Sequence, residues 1–202
     1  MTYFFIAFMW AGYCALHSYL ISIGFTNRMN RLLGKYYAFY RLFYILISLL
    51  LLIPLIIYSN QLDSVVIIGE GPILDILRDV ITTGSLLMFA WAFIFDYDFL
   101  TFFGVRQILR FGRIKGTNPP GELKRRGLLG IIRHPLYFAL IIYLWCQTRK
   151  LSDLVVNIVL TLYIIIGTRL EEKKLLQEFG ESYISYQKEV PMIIPFTKVK
   201  MK

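Results

Sequence analysis

The stretch GIIRHPLYFALIIYLW, residues 130–145, decides how this chain is read. From Leu136 it is an unbroken apolar run, and at its doorstep stand Arg133, His134 and Pro135. Proline is favoured at the first helical position, where its missing N–H removes no hydrogen bond. The run therefore reads as an apolar helix whose mouth carries a cation and a titratable ring. The unpaired N–H groups of its first turn, with the helix dipole, make that mouth an anion site. A plainer reading stands beside this one: His134 starts a helix at an interface and Arg133 anchors its topology.

The rest of the chain supports a membrane setting. Of its 202 residues 57% are apolar and only 17% charged, against about a quarter in soluble domains. The mean hydropathy is +0.59. Five apolar segments stand out: roughly Thr2 to Ile23, Tyr37 to Tyr58, Asp79 to Asp96, Pro135 to Thr148 and Leu154 to Thr168. The first three are long enough for a hydrocarbon core of about 30 Å. The last two reach only about 21 to 23 Å. They are joined by Arg149, Lys150 and Asp153 and read as a helical hairpin whose flanking cations snorkel to complete the crossing. The expected fold class is thus all-α: a polytopic membrane bundle of about five transmembrane helices, plus a cytosolic C-terminal helix. It is expected to form a single domain, 1–202, with a three-span N-terminal part (1–104) and a second part (105–202).

Loop charges orient the bundle. Residues 28–41 carry Arg28, Arg31, Lys35 and Arg41 and no acid, whereas residues 59–79 carry four acids and one base. Residues 105–133 carry eight cations against Glu122 alone. The positive-inside rule puts the N-terminus outside and the C-terminus in the cytosol, although the small Arg149/Lys150 turn runs against the trend. The doorstep at Arg133 then faces the cytosol. Residues 1–27 contain no charged side chain, so the positive region of a cleavable signal is missing and a retained first span is expected. The net charge of +9 is explained by topology and anionic lipid rather than by nucleic acid. Two cysteines in apolar stretches and two histidines form neither a disulfide framework nor a metal pattern.

The tail RLEEKKLLQEFGESYISYQKEVPMIIP (169–195) is patterned. Leu176, Phe179, Tyr183, Tyr186 and Val190 recur at helical spacing, which predicts one helical face. Extended backwards, the stripe takes in Glu172 and Arg169, with Glu171 on its flank, and Pro191 and Pro195 end the helix. Carboxylates beside a membrane are costly unless paired or wet. The bland alternative is an exposed network of Arg169, Glu172 and Lys173. If the doorstep offers N–H groups and a histidine, and the tail offers carboxylates, a zwitterionic amino-acid moiety satisfies both. Elsewhere, His17 and Ser18 lie mid-span in the first segment, where an interhelical hydrogen bond is the bland reading and a substrate cavity the sharper one. Asp96 and Asp98 belong at the cytosolic interface, with Arg106 as a partner and a weaker case for a substrate role. The segment GRIKGTNPPGELKRRG (112–127) reads as a solvated basic connector. GxGxxG, P-loop and GxSxG patterns are absent.

With RHPLY (133–137), EE (171–172), EFGESYISY (178–186) and VPMIIP (190–195) in order, the chain resembles a superfamily. This is the membrane-embedded S-adenosylmethionine-dependent methyltransferases, which include the isoprenylcysteine carboxyl and phospholipid methyltransferases. In LHSYLIS (16–22) and FFGVRQI (102–108) it is similar to the methanethiol S-methyltransferase-like branch and its denitrification-linked relatives. The resemblance implies S-adenosylmethionine as cofactor, S-adenosylhomocysteine as product, and a cytosolic cofactor site closed over by the C-terminal helix. It implies that His134, Pro135, Leu136 and Tyr137 line the methionine end, with Glu171 or its near-equivalent Glu172. Gly121, Glu122, Leu123, Lys124 and Leu129 are implied to touch the adenosine. Two departures argue against a prenylcysteine carboxylate as acceptor. Leu129 stands where prenylcysteine enzymes often have an aromatic residue, and Gly167 stands in place of their substrate arginine, with Arg169 the nearest base. The implied acceptor is a small thiol such as methanethiol, or otherwise a phospholipid amine or prenylcysteine. Arg169, His17 and Tyr137 are the candidates for assisting a thiol that must first lose its proton. A non-catalytic membrane assembly or transport protein is the competing class, and it requires no cofactor.

Overall fold

Helices cover all five apolar segments in the computed structural model, which describes residues 1–97, 99–109, 111 and 123–197. The order is α1 (Thr2–Leu20), α2 (Ile23–Leu33), α3 (Tyr40–Gln61), α4 (Pro72–Trp91), α5 (Phe99–Phe102), α6 (Val105–Leu109), α7 (Pro135–Cys146), α8 (Leu151–Phe179) and α9 (Glu181–Glu189). Among the described residues the fold is all-helical, with one isolated antiparallel bridge between Val66 and Lys150. Two helical runs, Ile23–Gln61 and Leu151–Phe179, are long and apolar enough to cross a membrane.

Three boundaries differ from the sequence expectation, each for a local reason. The third apolar segment was expected to begin at Asp79, but α4 begins at Pro72. Pro72 supplies the first-turn proline, and Asp75 reaches back to accept the N–H of Gly71 at 3.2 Å. Part of the acidic "loop" is therefore helix, and Arg78 is tied to Asp75 at 2.9 Å and to the Cys146 carbonyl at 3.0 Å. The fifth segment continues as helix well past Thr168, because Leu, Glu, Lys and Gln are good helix formers. The tail stripe, read as one helical face, is broken at Gly180, whose φ of 52° fits glycine and separates α8 from α9. Tyr183, Tyr186 and Val190 are buried together, with Leu175 and Phe179 against them, while Leu176 is exposed.

The chain forms two compact units, each discontinuous in sequence. The first comprises Met1–Ile68, Asp98–Gly116 and Arg149–Leu160. Its core is Ile6 and Trp10 of α1, Leu55 of α3 and Val156 of α8. Trp10 donates its indole N–H to Ser59 at 2.9 Å. Near the other end of the α1–α3 contact, His17 meets the Tyr44 hydroxyl and Ser48.

The second unit comprises Gly69–Tyr97, Thr117–Thr148 and Thr161–Lys202. Within it α7 packs chiefly along α4, and Ala139, fully buried, allows close approach. After α4 the chain makes a π turn, Ala92–Asp96, closed by the N–H of Tyr97 on the Ala92 carbonyl at 3.1 Å. A 3-10 turn, Gly127–Gly130, leads to the doorstep of α7. The site described next lies in this second unit, whereas His17 belongs to the first.

Candidate functional site

Pro135 is the first residue of α7 and His134 its N-cap. The histidine ring does not cap the helix, so the amides of Leu136 and Tyr137 are left without an intrahelical acceptor, and the first closing bond runs from Phe138 to the His134 carbonyl at 3.1 Å. The doorstep itself is pinned from outside the helix. The N–H groups of Arg133 and His134 donate to the carbonyls of Pro191 (2.9 Å) and Met192 (3.1 Å). The VPMIIP segment is thus a backbone partner of RHP as well as a helix stop.

Arg133 is the first correction to the plain reading. It is not an interfacial anchor but a buried clamp, 9% exposed. Its Nε donates to Glu172 Oε1 at 2.6 Å, and its Nη1 to the carbonyls of Gln187 (3.2 Å) and Val190. The rigid guanidinium fork suits a carboxylate and carbonyls at once, which is why a cation can be held there away from water. Glu172 is filled in turn. Oε1 also receives His134 Nε2 and the Tyr183 hydroxyl, each at 3.3 Å, and Oε2 receives the Gln187 amide at 3.1 Å. Its side chain is 12% exposed. The exposed Arg169–Glu172–Lys173 network is therefore not what forms. Arg169, expected on the buried stripe, is exposed. The stripe ends at Glu172, where Arg133 supplies the counter-charge.

Glu171 differs from its neighbour. Its side chain is a third exposed, and it receives the Tyr137 hydroxyl at 2.8 Å. His134 Nδ1 lies 4.0 Å from Glu171 Oε2, too far for a hydrogen bond. That nitrogen is buried without a hydrogen-bond partner. Because the Glu172 carboxylate only accepts, Nε2 carries a proton, and Nδ1 is the ring position left without a partner. The Tyr137 ring stacks beside the imidazole, with centroids 5.7 Å apart.

Around this pair lie the residues of the preceding loop. Leu123 packs against Tyr183, Tyr186 and Val190. Lys124 Nζ donates to the Asp96 carbonyl at 3.1 Å and the Phe95 carbonyl at 3.5 Å. The Leu129 carbonyl accepts the Tyr186 hydroxyl at 2.5 Å, and the Arg125 guanidinium sits 5.5 Å above the Tyr186 ring. Burial pushes the Tyr186 hydroxyl up to about 12, with Arg133 and Arg125 pulling against it and the charges of Asp96 and Glu172 adding to it. Tyr97 is likewise raised, first by burial and then by the charges of Glu171 and Asp96. Gly121, Glu122 and Asp98 lie outside the described residues. His17 belongs to the first unit, where Tyr44 approaches Nε2 at 2.5 Å and Ser48 approaches Nδ1 at 3.2 Å.

Sequence reading brought together RHPLY and the glutamate pair but missed Gln187 and Tyr97. Gln187 carries no signal of its own. Tyr97 sits between two acids in an aromatic stretch, where a belt residue and a site residue look alike.

Neither a family model nor a solved structure matches the chain. Curated proteins do. The chain is 37% identical over 122 residues to the methanethiol S-methyltransferase of Pseudomonas deceptionensis, covering 57% of this chain and 45% of that protein. It is 32% identical over 157 residues to methanethiol S-methyltransferase 1 of Bradyrhizobium diazoefficiens, covering 77% and 54%. It is 33% identical over 117 residues to the corresponding protein of Crocosphaera subtropica, covering 55% and 46%. The chain spans about half the length of the curated relatives it matches.

Proposed function

We propose, on the similarity of this chain to the methanethiol S-methyltransferases, that it moves a methyl group from S-adenosylmethionine to a small thiol such as methanethiol. In this reading it is a single-domain integral membrane enzyme of about five spans. Its N-terminus is outside, and its C-terminus and cofactor site are in the cytosol. The observation that carries the proposal is the unequal pair of carboxylates at the mouth of α7. Glu172 is saturated by Arg133, His134, Tyr183 and Gln187, whereas Glu171 stands partly open beside an unpartnered His134 nitrogen.

That donor and acceptor set fits the amino-acid end of the cofactor. Glu171 accepts N–H donors, which an ammonium group supplies, and the unpartnered His134 Nδ1 lies beside it. The unpaired amides of Leu136 and Tyr137 and the positive end of α7 favour a carboxylate. Tyr137 holds Glu171 in place through its hydroxyl. Glu172 acts one step back, fixing Arg133 and the orientation of the His134 ring. Leu123, Lys124 and Leu129, with Gly121 and Glu122, are assigned to the adenosine end.

When bound, the cofactor supplies a sulfonium methyl group open to in-line attack by a thiolate. The protein's task is alignment and exclusion of water. Tyr137 and Arg169 are the side chains proposed to orient the thiol or help it ionise.

The test is equilibrium binding of S-adenosylhomocysteine to the full chain in lipid nanodiscs. The expected result is saturable binding by the wild type, weakened at least about tenfold in Glu171→Gln, since a hydrogen bond to a charged group is lost. No binding by the wild type would overturn the proposal and favour a non-catalytic membrane protein.

A further inference from the structure

One acidic side chain beside this site, Asp96, has Lys124 as a charged neighbour but leaves a buried oxygen without a hydrogen-bond partner. Asp96 closes the π turn that follows α4. Single π turns are rare and frequently accompany functional sites. Lys124 holds this one by the main-chain carbonyls of Phe95 and Asp96, which leaves the Asp96 side chain to be accounted for. Its Oδ2 is shut from solvent and has no hydrogen-bond partner. Its Oδ1 faces Gly127, where an added Cβ would sit 3.2 Å away. Gly127 has a φ of +66°, so both its conformation and the space before Asp96 call for glycine. A buried carboxylate oxygen without a donor is costly, and glycine at 127 keeps a side chain from crowding the same carboxylate.

The neighbours say which ligand. Asp96 lies among Lys124 and the turn Gly127–Gly130, the loop assigned above to the adenosine end. The Tyr97 hydroxyl feels the negative charges of both Glu171 and Asp96, so the two carboxylates share one electrostatic neighbourhood. An acceptor-only group at the nucleoside end calls for a ligand carrying O–H donors, and a carboxylate with two oxygens matches two adjacent hydroxyls. Resting on the methyl-transfer reading, we propose that the Asp96 carboxylate receives the ribose 2′- and 3′-hydroxyls of the cofactor. Lys124 and Gly127 serve it by setting the turn and keeping the approach clear. Asp96 is then a second charged contact to the cofactor, separate from Glu171, and it selects for an intact ribose diol.

The test compares S-adenosylhomocysteine with its 2′,3′-dideoxy analogue by calorimetry on the full chain in nanodiscs. The wild type is expected to bind the diol about 10- to 100-fold more tightly, the range for hydrogen bonds to a charged group. Asp96→Asn keeps the main-chain carbonyls that Lys124 uses and is expected to erase most of that preference while binding the dideoxy analogue as the wild type does. Gly127→Ala, whose Cβ crowds Oδ1, is expected to weaken the diol selectively. The analogue comparison on the wild type needs no variant, so it stands even if Asp96→Asn fails to fold. Equal wild-type affinity for the two ligands would overturn the proposal, as would an undiminished preference in folded Asp96→Asn. If the wild type binds neither, it is the methyl-transfer reading itself that fails.

Discussion

His17 and His134 each stand at an apolar helix with oxygen partners on a neighbouring segment, and their hydrogen bonds close in different ways. At His17, a tyrosine hydroxyl and a serine hydroxyl from α3 meet the two ring nitrogens. At His134, one nitrogen meets Glu172 and the other is buried without a hydrogen-bond partner. The first cluster is complete as a link between helices. The second is complete on one side only, and beside its open side stands Glu171. Buried polar groups in folded proteins are nearly all paired, so an unpaired one calls for an explanation, and the proposed cofactor supplies one. The same contrast separates Glu172 from Glu171, which are adjacent in sequence and opposite in use.

The largest effect expected from attacking this contrast is at Arg133. Arg133→Ala leaves Glu172 buried without its counter-charge and is expected to cost about 3–5 kcal/mol in unfolding free energy, measured by denaturant titration in detergent. A loss below about 1 kcal/mol would mean that the clamp is not what holds the doorstep. Next come the two glutamates. Glu171→Gln is expected to leave the melting temperature unchanged while weakening S-adenosylhomocysteine binding at least about tenfold. Glu172→Gln is expected to lower the melting temperature by several degrees. If the two variants behave alike, the division between them is wrong.

A smaller effect is expected at the closed cluster. Tyr44→Phe removes one interhelical hydrogen bond, worth on average about 0.6 kcal/mol in a membrane protein, and should leave the dissociation constant for S-adenosylhomocysteine as it was. The smallest is alkaline. Tyr186 is raised from 10.0 to about 12, so the folded chain holds that proton more tightly than the unfolded chain. The stability it lends is whole below about pH 10 and is lost as pH climbs towards 12. Tyr183, raised by burial and then by the Glu172 charge, acts in the same direction. Melting curves from pH 9 to 12 should show this slope, and Tyr186→Phe should flatten it.

Much of the helical fold was legible because apolar runs and proline positions are local signals. The ends of α4 and α8 were not, because Pro72 with Asp75, and the helix-forming LEEKKLLQ run, extend helices into charged sequence. The break at Gly180 was hidden inside a stripe whose spacing crosses it unchanged. Within the candidate site, RHP and EE announce themselves through helix-mouth chemistry and the cost of carboxylates near a membrane. Their pairing is tertiary: 39 residues separate Arg133 from Glu172, and nothing in either motif says which glutamate the arginine takes. Burial decided it, leaving Glu171 as the open partner.

The central claim is tested most directly by supplying the purified 202-residue chain in nanodiscs with methyl-labelled S-adenosylmethionine and methanethiol. The account predicts labelled dimethyl sulfide and an equal amount of S-adenosylhomocysteine, with both products lost in Glu171→Gln. Label found only in lipid, or none transferred by a preparation that binds S-adenosylhomocysteine, would contradict it.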